Sequence, residues 1–127
     1  MLNSQASAAT ATQILNSVSA ANTAAATTST AGGYLDVRGY DGELLVIMAL
    51  GAVTGTISGK LQSATDANGT GAADIAGATF GATAANSTTA MTLDPKKVVG
   101  GFLGFLGTIV TGPALVSVTV CGKKKYV

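Results

Sequence analysis

Apolar residues in this chain fall into strand-length runs broken by glycine-bearing turns. No segment of about 10–15 residues between those runs carries the helical period a crossover would need. Leu44 to Leu50 is a continuous apolar run, the pattern of a strand buried on both faces or of one lying against a partner. Ile57, Gly59 and Leu61 alternate with Ser58, Lys60 and Gln62, which predicts a strand with one face inward. Ile75, Ala78 and Phe80 offer core contacts around Gly77, and Met91 and Leu93 alternate in a short strand that Pro95 ends. The apolar block Phe102 to Val110 and a last strand through Leu115, Val116, Val118 and Val120 complete the series.

A weak internal echo supports a layered arrangement. Ala49 to Gly55 and Leu106 to Gly112 each run from apolar residues through Val-Thr-Gly into an alternating strand. Two such hairpins predict a two-layer antiparallel β-sandwich or a barrel-like domain over residues 33–127. Antiparallel pairing follows from the missing crossover helices.

Residues 1–32 contain no charged side chain and few large apolar ones: Met1, Leu2, Ile14, Leu15 and Val18. The stretch reads as an extended N-terminal arm, with or without one short helix at Ile14 to Val18, or as a disordered tail. If the arm docks on a larger body, Ile14, Leu15 and Val18 are its natural anchors.

Aromatics make up only 5% of the chain and charged residues 10%, against roughly 25% charged in an average globular chain. The thin supply of large core-fillers and the weak charge suit a subunit that lies close against neighbours. A net charge of +1 and so few stacking rings argue against a nucleic-acid surface. The longest interrupted apolar stretch, Val98 to Val110, spans 13 residues with four glycines, short of the roughly 20 a spanning helix needs. No basic segment precedes an apolar core at the start. The chain therefore reads as soluble, with no membrane partner.

Reactive chemistry is sparse. There is no histidine, the commonest general base and metal ligand. The acids Asp36, Asp41, Glu43, Asp66, Asp74 and Asp94 are scattered, and Asp66-Ala67-Asn68-Gly69 lacks the ligands of a calcium loop. Gly100 to Gly104 has no Lys-Ser/Thr pair and is no phosphate loop. Cys121, in an apolar run, reads as a buried, inert thiol. The expectation is a structural protein and not an enzyme, with no catalytic, cofactor or metal site.

Several pieces together resemble the small decoration, or cement, proteins of tailed-phage heads. They are Val37-Arg38-Gly39-Tyr40-Asp41-Gly42, Gly55 to Ser63, Asp74 to Phe80, Leu93-Asp94-Pro95-Lys96-Lys97 and the ending Gly122-Lys123-Lys124-Lys125-Tyr126-Val127. They span about residues 32–127 in order. The resemblance implies a protein made in the host cytoplasm and carried on the capsid surface of an HK97-type virion. There it would stabilise the shell at capsomer junctions, bound to the major capsid protein, as a dimer or trimer. It implies no catalytic residues. Where such proteins commonly have a charged or aromatic strand after Lys97, this chain has Gly101-Phe102-Leu103-Gly104-Phe105-Leu106-Gly107. That departure points to Phe102, Leu103, Phe105 and Leu106 as assembly contacts. The alternative reading is a carbohydrate-binding or adhesin-type β-sandwich module, which needs exposed aromatic platforms.

Overall fold

The computed structural model describes residues 9–19, 25–28, 33–53, 55–83, 85–109 and 114–124. In chain order the strands are β1 (Ala9–Ser19), β2 (Ala25–Thr28), β3 (Leu35–Asp36), β4 (Tyr40–Val53), β5 (Ile57–Ala64), β6 (Ala73–Thr83), β7 (Thr88–Leu93), β8 (Phe102–Ile109) and β9 (Ala114–Lys124). A 3-10 turn, Pro95–Lys97, separates β7 from β8. No helix among the described residues is long and apolar enough to cross a membrane.

The strands form two antiparallel sheets. The first has the order β1-β9-β4-β7, the second β2-β8-β5-β6. β2 and β3 lie one after the other along the same side of β8, pairing Thr28 with Leu106 and Leu35 with Leu103, so each sheet is four strands wide. Both sheets keep open edges, which makes this a sandwich rather than a closed barrel.

The pairings nest. β1 pairs with β9, β2 and β3 with β8, β4 with β7, and β5 with β6. Strands equally far from the two ends of the chain are thus neighbours, which is the path of a jelly roll. One consequence corrects the reading of the internal echo. The Val-Thr-Gly segments do not close hairpins. β4 and β5 lie in different sheets, as do β8 and β9, so the strands on either side of each segment belong to opposite layers. Within the layers, β4 pairs with β9 in the first sheet and β5 with β8 in the second. The hairpin in which consecutive strands do pair is β5–β6.

The core lies between the layers. Leu44, Val46, Met48, Val116, Val118 and Val120 face it from the first sheet; Ile57, Leu61, Phe80, Leu103, Phe105 and Ile109 face it from the second. In β4 the burial alternates: Leu44, Val46, Met48 and Leu50 are buried, whereas Leu45 is exposed and Ile47 and Ala49 half-buried. The apolar run is therefore buried on one face only. Phe105 fills the middle of the core, 6.2 Å from Phe80 between ring centroids. Its ring occupies the space where side chains of Gly59 and Gly107 would stand, and these two glycines are cross-strand partners. The only side chain that fits there is none.

The N-terminal residues are extended, as expected of an arm, but they are built into both sheets. Residues 9–19 are a strand, not a helix, and pair along β9 from Ala9–Lys123 to Ser19–Ala114. Residues 25–28 pair with β8. Ile14, at a bulge in β1, is 4% exposed and belongs to the core. The expected division at 32/33 is crossed by both sheets, so the described part of the arm is integral to the sandwich. β1 contributes a backbone ladder to β9, and its described side chain Ile14 joins the core.

Candidate assembly face

The outer face of the first sheet has a composition that needs an explanation. Register places Leu45, Ile47 and Ala49 of β4 beside Cys121, Thr119 and Ser117 of β9, and beside Thr92, Ala90 and Thr88 of β7. Leu115 of β9 extends the face past Gly51, against whose Cβ position it packs at 3.3 Å. None of these residues is charged. Leu45 and Leu115, 39% and 40% exposed, are two of the three large apolar side chains left open among the described residues. The third, Val99, is at a loop. Charge is confined to one end of the face, where Asp41 pairs in register with Lys123 and Glu43 stands nearby.

The opposite outer face has a different character. Lys60 Nζ reaches Asp74 Oδ2 at 2.8 Å, and Gln62 Nε2 donates to Asp74 Oδ1 at 3.0 Å. The Gln62 hydrogen bond, with the Lys60 ammonium beside it, lowers the Asp74 pKa below the ordinary carboxylate value. Tyr34 lies over this face at Gly104, and its hydroxyl contacts Gln62 Oε1 at 3.5 Å. These polar groups satisfy one another within the subunit.

The acids that could have supplied chemistry are mostly engaged in structure. Asp36 binds Arg38 through Nε at 2.9 Å and through a second guanidinium nitrogen at 2.8 Å, and the hydrogen bond from Arg38 lowers its pKa. Arg38 in turn lies 5.1 Å over the Phe102 ring. Asp66 closes its own loop: it accepts from the Thr70 hydroxyl at 2.7 Å and from the backbone N–H groups of Asn68 and Thr70, which lowers its pKa. Asp94 caps the 3-10 turn by accepting from the Lys96 N–H at 3.0 Å. Asp41 and Glu43 instead border an open cleft of about 560 Å³ floored by Val37 and Tyr40, with Arg38 and Lys96 on its rim.

The residues expected to make assembly contacts are not brought together. Ile14, Leu103 and Phe105 are in the core and cannot meet a neighbour. The Gly-Phe-Leu-Gly-Phe-Leu-Gly strand is β8, inside the second sheet between β5 and the β2/β3 side. Phe102 is half-buried beneath Arg38, and Leu106 is half-buried beside Lys60. The backbones of Leu15 and Val18 pair with Val118 and Leu115; their side chains lie outside the described residues. Cys121 is not the buried thiol expected but half-exposed, on the uncharged face. Leu45, Leu115 and Cys121 were missed as surface residues, although the odd-numbered apolar positions within Leu44–Leu50 carried the signal.

Comparison with known proteins finds no matching family model, no significantly similar curated protein and no significantly similar solved structure.

Proposed function

We propose that this chain is a structural virion protein that decorates and stabilises the outer surface of a phage capsid at capsomer junctions, with the major capsid protein as its partner. The observation that carries the reading is the outer face of the first sheet, uncharged except at one end, with Leu45 and Leu115 exposed and Ile47 half-buried in an isolated subunit. A subunit that spends its life against a shell can leave such an uncharged face open, whereas the surface of a free globular domain is ordinarily interspersed with charge. The resemblance of residues 32–127 to head decoration proteins supplies the identity of the shell. The mechanism is passive: burial of this face on several shell subunits, multiplied by oligomerisation, raises avidity without strong single contacts. The absence of histidine from the sequence and the structural engagement of Asp36, Asp66, Asp74 and Asp94 accord with a non-enzymatic role.

A glycan-binding module has less to support it. Tyr34, Tyr40, Phe80 and Phe105 are buried, and Arg38 covers Phe102, so none of them offers a stacking platform.

The test is addition of the purified protein to capsids that lack it. Raised thermal resistance of the shell and site-specific density at capsomer junctions are expected. Unchanged shell stability with no added density overturns the proposal.

A further inference from the structure

Sheet edges are templates for further strands, and proteins that stay apart blunt them with bulges, charges or interruptions. Three edges of this sandwich carry such devices. β1 has a bulge between Gln13 and Leu15. β6 has register shifts against β5, Gly77 at φ 76° and the exposed Asp74. On the β2/β3 side, Gly33 and Tyr34 ahead of β3 lie outside any strand. β7 has none of these. It reads Thr88-Thr89-Ala90-Met91-Thr92-Leu93, without charge, proline or glycine, and pairs with β4 in unbroken register.

Hydrogen-bond alternation fixes which of its backbone groups face outward. The Leu50 N–H donates to the Ser87 oxygen at 2.8 Å. By the antiparallel alternation, Thr89, Met91 and Leu93 then exchange hydrogen bonds with β4. Thr88, Ala90 and Thr92 direct their N–H and C=O groups away from the sheet, where no other described strand lies. These residues are exposed and read the same in both directions about Ala90: Thr, Ala, Thr.

We propose that β7 pairs with β7 of a second copy of this chain, antiparallel across a two-fold axis at Ala90. Ala90 then faces Ala90 of the partner subunit, and Thr88 faces the partner's Thr92 on either side. About six backbone hydrogen bonds form. Cross-strand threonine pairs are favourable, and no like charges meet. The palindrome is what selects a second copy over an unrelated strand. The two first sheets become one eight-stranded sheet, and their uncharged outer faces become continuous. This dimer forms without any shell and so does not rest on the cementing role. A monomer that still stabilises capsids overturns the dimer alone; a dimer that ignores capsids overturns the cementing role alone.

The experiment uses the full chain. Sedimentation velocity across a concentration series is expected to show a dimer. Ala90→Lys, which places like charges opposite each other at the axis, is expected to raise the dissociation constant at least about tenfold while leaving the circular dichroism spectrum unchanged. Should that variant misfold, Thr88→Lys tests the same edge. Cys121 is the only cysteine of the sequence and lies level with Thr92 through Leu45, so a spin label there reads the geometry. Five strand spacings of about 4.8 Å and four residue rises of about 3.4 Å separate the two labels, a distance of about 28 Å. A wild-type monomer, undiminished association of the folded lysine variants, or a label distance under about 15 Å or beyond about 40 Å each overturns the proposal.

Discussion

The ring of Tyr34 occupies the place where a side chain at Gly104 would stand, so the middle of β8 must be glycine for the chain ahead of β3 to close over the second sheet. Tyr34 is held there from the other side by the Gly69 backbone, whose Cβ position is 2.8 Å from the ring, and by its own N–H on the Ala67 carbonyl at 3.2 Å. Gly104→Ala is expected to cost about 2 kcal/mol by overpacking. Because the clash is with one ring, Tyr34→Ala should relieve it. A double-mutant cycle by urea denaturation should therefore give a Gly104→Ala cost near zero in the Tyr34→Ala background. An undiminished cost there would place the strain elsewhere.

Phe105 makes the complementary case within the core. Its ring covers Gly59 and Gly107 and meets Phe80, so truncation leaves a void bordered by bare backbone that cannot collapse onto side chains. Phe105→Ala is expected to cost about 4 kcal/mol, toward the upper part of the range for buried aromatics. Gly59→Ala should be destabilising too, and less so in Phe105→Leu. Equilibrium unfolding of Phe105→Ala, Gly59→Ala, Phe105→Leu and the Gly59→Ala/Phe105→Leu double variant checks the order.

These contacts explain why the sequence could be read for some strands and not others. Ile57 to Gln62 and Leu115 to Val120 announce their inward faces by simple alternation, and the structure agrees. The Gly-Phe-Leu-Gly-Phe-Leu-Gly strand was legible as a strand but not as a core strand. The residues that use its glycines, Tyr34, Arg38 and Ile57, are distant in sequence and meet it only through folding. β1 was illegible for the opposite reason: it is tied to β9 by a backbone ladder, and ladder hydrogen bonds leave no apolar signature. The nested pairing of a jelly roll is likewise carried by strand order in space, and local pattern cannot distinguish a sheet-switching corner from a hairpin turn.

Truncation separates the two views of the N-terminal residues. Removal of residues 2–30 takes away β1, β2 and Ile14, uncovering β9 along its length and one side of β8. A domain's net stability is only about 5–15 kcal/mol, too little to absorb the loss of a strand from each sheet. The truncated chain is expected to lose the amide dispersion of a folded β protein in a nitrogen-correlated NMR spectrum. A well-dispersed spectrum would return these residues to the status of a detachable arm.

Acid should act through Asp36, Asp66 and Asp74, whose folded pKa values lie below the ordinary 3.8. A lowered folded value means the proton binds more weakly in the native state. The stabilisation is therefore full above the unfolded value of about 3.9 and is lost as pH falls through the folded values. The urea midpoint should owe no change to these groups between about pH 5 and 7 and should fall below about pH 4. Salt at about 1 M should weaken the contributions of Asp36 and Asp74, which face Arg38 and Lys60, more than that of Asp66, whose donors are neutral. Asp66→Asn should accordingly flatten the part of the acid limb that survives high salt.

The uncharged face gives the prediction that bears most directly on assembly. Ala49 and Ser117 are cross-strand neighbours on it, half-buried and away from the core. Ala49→Lys should leave the unfolding free energy within about 0.5 kcal/mol of wild type, as substitutions on an outer sheet face usually do. It should nonetheless abolish shell binding, because a lysine seated against an apolar surface is desolvated without a partner. Cys121 provides an internal check on the same face: maleimide should modify it in the free protein and be excluded once the protein is bound. Protection of Cys121 on the shell together with loss of binding in Ala49→Lys would assign this face to the shell contact. Full binding by Ala49→Lys, with Cys121 equally reactive before and after, would move the contact to another surface, the charged cleft between Asp41, Glu43 and Lys96 being the next to test.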